Sequence, residues 1–141
     1  MKILIVGCGR VGSMLANRYA SAGHEVNVID EEGQAAARLA PDFTGNFFAG
    51  AGLDVSILKT AGIKDSDVCI AVTDGDNTNL VVAQIAKEHY KVPCVVVRVF
   101  DPRRADFYAG RGLNVVSPVA VAVDQIDRAI CAFGEGEGEA S

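Results

Sequence analysis

Residues 7–12 read Gly-Cys-Gly-Arg-Val-Gly, between a continuous apolar run (Lys-Ile-Leu-Ile-Val) and a stretch with residues 14, 15, 18 and 19 at helical spacing. Three glycines in a G-x-G-x-x-G pattern between strand and helix serve a definite chemistry. Gly7 permits a tight turn, Gly9 lets the main chain approach a bulky anion, and Gly12 lets helix and strand pack closely. Free N–H groups at the positive end of the helix then face phosphate. Asp30, 23 positions beyond Gly7, closes the next strand-like run, Glu-Val-Asn-Val-Ile. There a carboxylate accepts hydrogen bonds from both hydroxyls of a ribose. A plain turn with Asp30 as a helix N-cap accounts for the glycines, but not for strand, helix and acid together.

The neighbours of these residues refine the ligand. Glu31 and Glu32 follow Asp30 with no Arg close by, so a 2′-phosphate meets up to three negative charges. NAD(H) or another adenine nucleotide is expected and NADP is disfavoured. Arg10, just past the second glycine, is placed to make a charge-assisted bond to phosphate; position alone equally allows a solvated first-turn side chain. Cys8 stands at a helix N-terminus, where a thiolate is favoured, although a small residue is all the loop requires. Val11 completes the loop.

Positioning these groups requires alternating strands and helices. Strand-like runs span residues 2–6, 25–29, 46–49, 68–72, 94–99 and 114–116. Helical stretches span 10–22, 34–40, 54–61, 76–90 and 103–109. Short loops between them imply parallel pairing through right-handed crossovers. The expected fold is α/β: a Rossmann-like doubly wound parallel sheet of about six strands with a C-terminal amphipathic helix. In that last helix Val119, Ala122, Val123, Ile126, Ala129, Ile130 and Phe133 form one apolar stripe, which packs either on its own sheet or on a second subunit. From residue 134 the Gly/Glu alternation has nothing to bury, and 134–141 is expected to be a flexible acidic tail.

Composition narrows the function. The 141 residues carry 13 Lys+Arg, 18 Asp+Glu and a net charge of −5, three of those acids lying in the tail. Nucleic-acid binding needs clustered positive charge and is not expected. No stretch approaches the roughly 18 apolar residues of a membrane span, and no secretory leader is visible. The four cysteines are far apart with no metal-ligand spacing, as suits reduced thiols and no metal. Neither His24 nor His89 falls where a strand end would carry an acid/base group, and no nucleophile triad can be drawn. Catalytic residues are therefore expected to be none; a minimal NAD-dependent oxidoreductase, or a fragment of one, is the alternative.

GCGRVG, Asp30, the block AGIKDSDVCIAVTDGDNTNLVVAQIAK and the strand VVVRVFDP resemble the KTN/RCK domain, the TrkA N-terminal type of nucleotide-binding regulator in Trk/Ktr potassium uptake systems and some potassium channels. The resemblance covers residues 1–133. It implies a cytoplasmic regulatory subunit, peripheral to the inner face of the membrane through its partner. That subunit binds NAD(H) or ATP/ADP and pairs into homodimers or larger rings, gating a membrane potassium transporter or channel. Carried over by position, Gly7 to Gly12 hold phosphates with Arg10 in contact, Asp30 holds the ribose, and Thr73 and Asp74 border the crevice. Arg98 reaches toward the nucleotide or a neighbouring subunit. Read from the residues alone, Thr73 and Asp74 are equally a strand end and turn, and Arg98 equally an interior Arg on an edge strand. Where the family has Gly-Asp after the third strand this chain has Gly50-Ala51-Gly52, so any contact at Ala51 comes from backbone. This sequence stops short of the family's small C-terminal ligand-binding domain, as expected either of a stand-alone subunit or of a chain cut before that domain.

Overall fold

The computed structural model describes residues 1–140, the side chains of 137–140 excepted. Six strands, β1 (Lys2–Val6), β2 (Glu25–Asp30), β3 (Asn46–Ala49), β4 (Val68–Ala71), β5 (Cys94–Arg98) and β6 (Asn114–Val116), form one parallel sheet in the order β3-β2-β1-β4-β5-β6. Among the described residues five α-helices accompany the sheet: α1 (Arg10–Ser21), α2 (Val55–Thr60), α3 (Asp76–Gln84), α4 (Pro102–Ala109) and α5 (Pro118–Ala140). The order reverses between β1 and β4: the chain runs outward from β1 through β2 to β3, then crosses back to β4 on the other side of β1, and a crevice opens at the strands' carboxyl ends.

β1 shows why its run is apolar without alternation. Ile3 and Ile5 face one side with Val26, Val28, Ala16 and Ala35; Leu4 and Val6 face the other with Leu58, Ile63 and Val82. A strand covered on both faces has no wet side. α2 begins where Asp54 caps it, its carboxylate accepting from Ser56 N at 2.9 Å, and Asp101 does the same for Arg103 N at 3.0 Å before α4.

Two elements differ from the sequence reading, and two more take a packing that spacing alone left open. Residues 34–40 form a 3₁₀ helix, Gly33–Arg38, instead of an Ala-rich α-helix; Pro41 ends the stretch before an α-helix can lengthen. The helix expected over 76–90 stays α only to Gln84 and widens to a π-turn at Ile85–His89. α1 buries Gly12, Ser13 and Ala16, leaving Met14 65% exposed, because the close approach to β1 selects small residues. Finally, the α5 stripe does not pack on its own sheet: Ile126, Ile130 and Phe133 are 61%, 63% and 67% exposed. The helix runs past residue 133 to Ala140; the side chains of 137–140 and the whole of residue 141, part of the expected tail, lie outside the described residues.

Candidate functional site

At the switch point lies a cleft of about 410 Å³, lined by the ends of β1 (Val6, Gly7), β2 (Ile29, Asp30) and β4 (Val72, Thr73, Asp74, Gly75), with Gly9, Glu31, Glu32, Arg38, Gly50, Gly52 and Thr78. Its floor is the glycine loop. Gly7 has φ +111, and a Cβ there would fall 2.6 Å from Val72 C and O. A Cβ on Gly12 would meet the Gly7 carbonyl oxygen at 1.8 Å, so helix and strand meet as closely as backbone allows. Gly9 is different: a Cβ there meets nothing within 4 Å. The protein itself gives no packing reason for glycine at Gly9, and the open space belongs to the cleft. That is the cradle a phosphate requires above the first turn of α1.

Asp30 is fixed from below. Its Oδ2 accepts from Cys8 N at 2.7 Å and its Oδ1 from Glu32 N at 2.9 Å. Each carboxylate oxygen has two acceptor positions, so one on each oxygen remains for a ligand. The bond from Cys8 couples Asp30 directly to the glycine loop. Cys8 itself points inward, fully buried, its Sγ 3.4 Å from Ala35 O. Burial, reinforced by Asp30, raises its thiol pKa, with Arg38 opposing. The helix N-terminus therefore does not make this a thiolate: desolvation outweighs it.

The reading that no Arg stands near Asp30 is corrected by Arg38. The 3₁₀ helix returns this residue, eight positions on, to the cleft wall, where Nη1 donates to Cys8 O at 3.2 Å. One guanidinium thus stands with three carboxylates, Asp30, Glu31 and Glu32, on that side. A periodicity reading misses it because the segment returns as a 3₁₀ turn pinned by Asn17, which accepts from Ala40 N at 2.9 Å.

On the opposite wall Thr73 and Asp74 line the cleft, as does Thr78 from α3. The other expected site residues fall elsewhere. Val11 is 43% exposed on the outside of α1, and Arg10 is exposed at the helix start, outside the lining residues. Ala51 is exposed and also off the lining, its carbonyl accepting from Asp54 N at 3.0 Å, while Gly50 and Gly52 on either side face in. Arg98 turns back on the sheet: Nη2 donates to Val72 O at 3.0 Å and Thr73 O at 3.1 Å. Its contact with the fully exposed Asp74, at 3.9 Å, is of the kind that contributes little. Asn79, three residues after Asp76 in the first turn of α3, is buried behind this wall and is not among the residues the sequence marks for the site. His24 lines a recess at the amino edge of the sheet, and His89 one beside α4. Among the described residues, no group of three or more His, Cys, Asp or Glu is placed to hold a metal, and no helix is long and apolar enough to cross a membrane.

Residues 3–118 match the TrkA-N domain. The chain is 40% identical over 134 residues to the Trk system potassium uptake protein TrkA of Streptomyces coelicolor, covering 95% of this chain and 60% of that protein's length. Among solved structures, the Kef CTD of Shewanella denitrificans in AMP-bound form superposes with TM-score 0.76 at 23% identity, covering 95% of this chain and 82% of the other. The GsuK RCK domain does so with TM-score 0.73 at 22% identity, covering 94% and 29%; at these identities both show the shared fold. With the family pattern matched over most of its length, this chain belongs to the TrkA-N domain family.

Proposed function

We propose that the cleft binds an adenine nucleotide, NAD(H) or ATP/ADP, with Gly7 to Gly12 at the phosphates and Asp30 at the adenosine ribose. The observation that carries this is Gly9: a residue kept without a side chain where only open cleft surrounds it, two positions from a loop glycine whose own Cβ would collide with backbone. The anchored Asp30 supplies the second contact. Three carboxylates against the one guanidinium of Arg38 on the ribose side support NAD(H) over NADP.

The chain then acts as a binding and regulatory module, not a catalyst. The lining offers carboxylates, Arg38 and Thr hydroxyls, while His24 and His89 stand at other faces. It regulates a membrane potassium transporter or channel from the cytoplasmic side and assembles as a homodimer or larger ring. Support comes from the TrkA relatives and from the exposed stripe of α5, whose apolar residues this chain does not cover. A ligand drives such regulation only through different affinities for two arrangements of the assembly.

Thermal-shift titration with NAD⁺, NADH, NADP⁺, ATP, ADP and AMP tests the reading. Stabilisation by an adenine nucleotide that is lost in Asp30→Ala is expected. No stabilisation by any of them refutes it, and steady oxidation of NADH with a small carbonyl substrate refutes the regulatory role.

A further inference from the structure

Asn79 has no exposed surface, and a polar side chain so placed must be fully paired. All its hydrogen-bonding capacity goes to two residues. Oδ1 accepts from Thr73 N at 2.8 Å and from Thr73 Oγ1 at 2.6 Å. Nδ2 donates to Thr73 O at 3.0 Å and to Arg98 O at 3.0 Å. Arg98 holds the same strand end from β5 through Val72 O and Thr73 O, its guanidinium 4.7 Å over the Phe100 ring. Asp76 closes the unit, its carboxylate accepting from Phe100 N at 2.7 Å and Asp101 N at 2.9 Å. The end of β4 is thereby fastened to β5 and the start of α4 by side chains that lie behind the cleft wall.

That wall, Thr73 to Thr78, stands across the cleft from Asp30 and Arg38. With the adenosine held at Asp30, as the nucleotide reading above has it, whatever extends beyond the pyrophosphate meets this wall. We propose that Asn79, together with Arg98, is the positioning device of the distal half-site: it clamps Thr73 so that the cleft holds a whole dinucleotide more tightly than its AMP half. The inference rests on the nucleotide reading but makes a separate demand, that the clamp serves one half of the ligand only. A merely structural Asn weakens both halves together.

Isothermal titration of the chain with NAD⁺ and with AMP separates these cases. In Asn79→Asp the shape is kept, but a carboxylate oxygen faces the Thr73 and Arg98 carbonyls. The NAD⁺ Kd is expected to rise by about tenfold or more, the scale of one or two net hydrogen bonds, while the AMP Kd stays within about twofold. Arg98→Met, which removes no cleft-lining group, is expected to show the same selective loss, and decides the matter alone if circular dichroism finds the first variant unfolded. Equal losses for both ligands, unchanged NAD⁺ affinity in a folded variant, or wild-type NAD⁺ binding no tighter than AMP overturns the clamp. Wild-type protein that binds neither overturns this inference, and the nucleotide reading falls with it where NADH, ATP and ADP fail to bind as well.

Discussion

Gly9 and Gly12 are two glycines of one motif with opposite physical reasons, and alanine at each separates binding from folding. At Gly12 the new Cβ lies 1.8 Å from Gly7 O and 2.9 Å from Gly7 C. Backbone cannot yield as a flexible side chain does, so α1 must lift from β1. Overpacking of this kind costs about 3 kcal/mol or more, a large part of the roughly 5–15 kcal/mol that holds a domain together. With about 3–5 °C of midpoint per kcal/mol at this length, Gly12→Ala should melt roughly 10 °C or more below wild type. At Gly9 the φ of −81 suits alanine and nothing stands within 4 Å. The gain of about 0.4–1 kcal/mol from restricting the unfolded chain offsets alanine's poorer performance as an N-cap. The melting midpoint should move by no more than about 3 °C, yet the methyl fills the space where phosphate must approach backbone N–H groups. Nucleotide affinity should fall by about tenfold or more. Calorimetric melting of the ligand-free proteins and titration with NAD⁺ read the two effects separately. A Gly9→Ala protein that keeps wild-type affinity, or one that melts as low as Gly12→Ala, refutes the assignment of Gly9 to the ligand.

Asp30→Ala removes the two proposed ribose contacts together with the acceptor for Cys8 N and Glu32 N, and should weaken NAD⁺ at least about tenfold by titration. Cys69 is buried in β4 and its pKa is pushed up from 9.0 to about 12 by desolvation. Because the folded value is the higher one, its contribution to stability is intact below about pH 9 and is lost as pH rises toward 12. The unfolding free energy from urea titration should fall between pH 9 and 10.5, by up to about 2 kcal/mol from this group, and Cys69→Ala should flatten that part of the slope. Ile126→Asp combined with Ile130→Asp puts charge in the exposed α5 stripe. Light scattering should then find monomer, against the dimer expected of the unaltered chain, with nucleotide-stabilised melting of the monomer retained.

What sequence patterns reveal here follows from how local each cause is. β1, β3 and β6 fall at the residues expected, because each is a short apolar or β-branched run bounded by turn residues. The glycine loop and Asp30 come together because one strand–helix–strand unit carries them all. Arg38 escapes the same reading because its approach to Cys8 O depends on where a 3₁₀ turn lands after Asn17 fastens residues 38 and 40. Asn79 escapes because it follows Asp76, Asn77 and Thr78 in the polar first turn of α3, and only the packed position of Thr73 reveals why one amide there is buried. Arg98 illustrates the reverse case: position in the strand motif points it at the ligand, but carbonyls freed at the end of β4 capture its guanidinium first. Met14 fits helical spacing and still faces solvent, since the closeness of α1 and β1 is set by Gly12 and not by the largest apolar side chain.

The α5 stripe and the cleft are tied by the fold in a way that bears on regulation. Asn79 donates to Arg98 O, Val99 N donates to Val116 O at 3.0 Å, and Ser117, next in the chain, accepts from Val121 N at 3.0 Å at the start of α5. Such a series is spatial continuity, and continuity becomes coupling only where an element has two arrangements that both sites bias. The α5 interface of the proposed dimer provides the place to look, because linkage is reciprocal. If pairing through α5 tightens each nucleotide site tenfold, saturating nucleotide must tighten a two-site dimer by about the square of that factor, a hundredfold. Moving an assembly from 1:99 to 99:1 takes roughly a 10⁴-fold preference, so a pair of sites must each discriminate by about a hundredfold, or a ring of them by less. The more copies share the switch, the smaller the rearrangement each cleft wall has to sense, which is a physical reason for the proposed nucleotide module to present the exposed α5 stripe to another copy of itself.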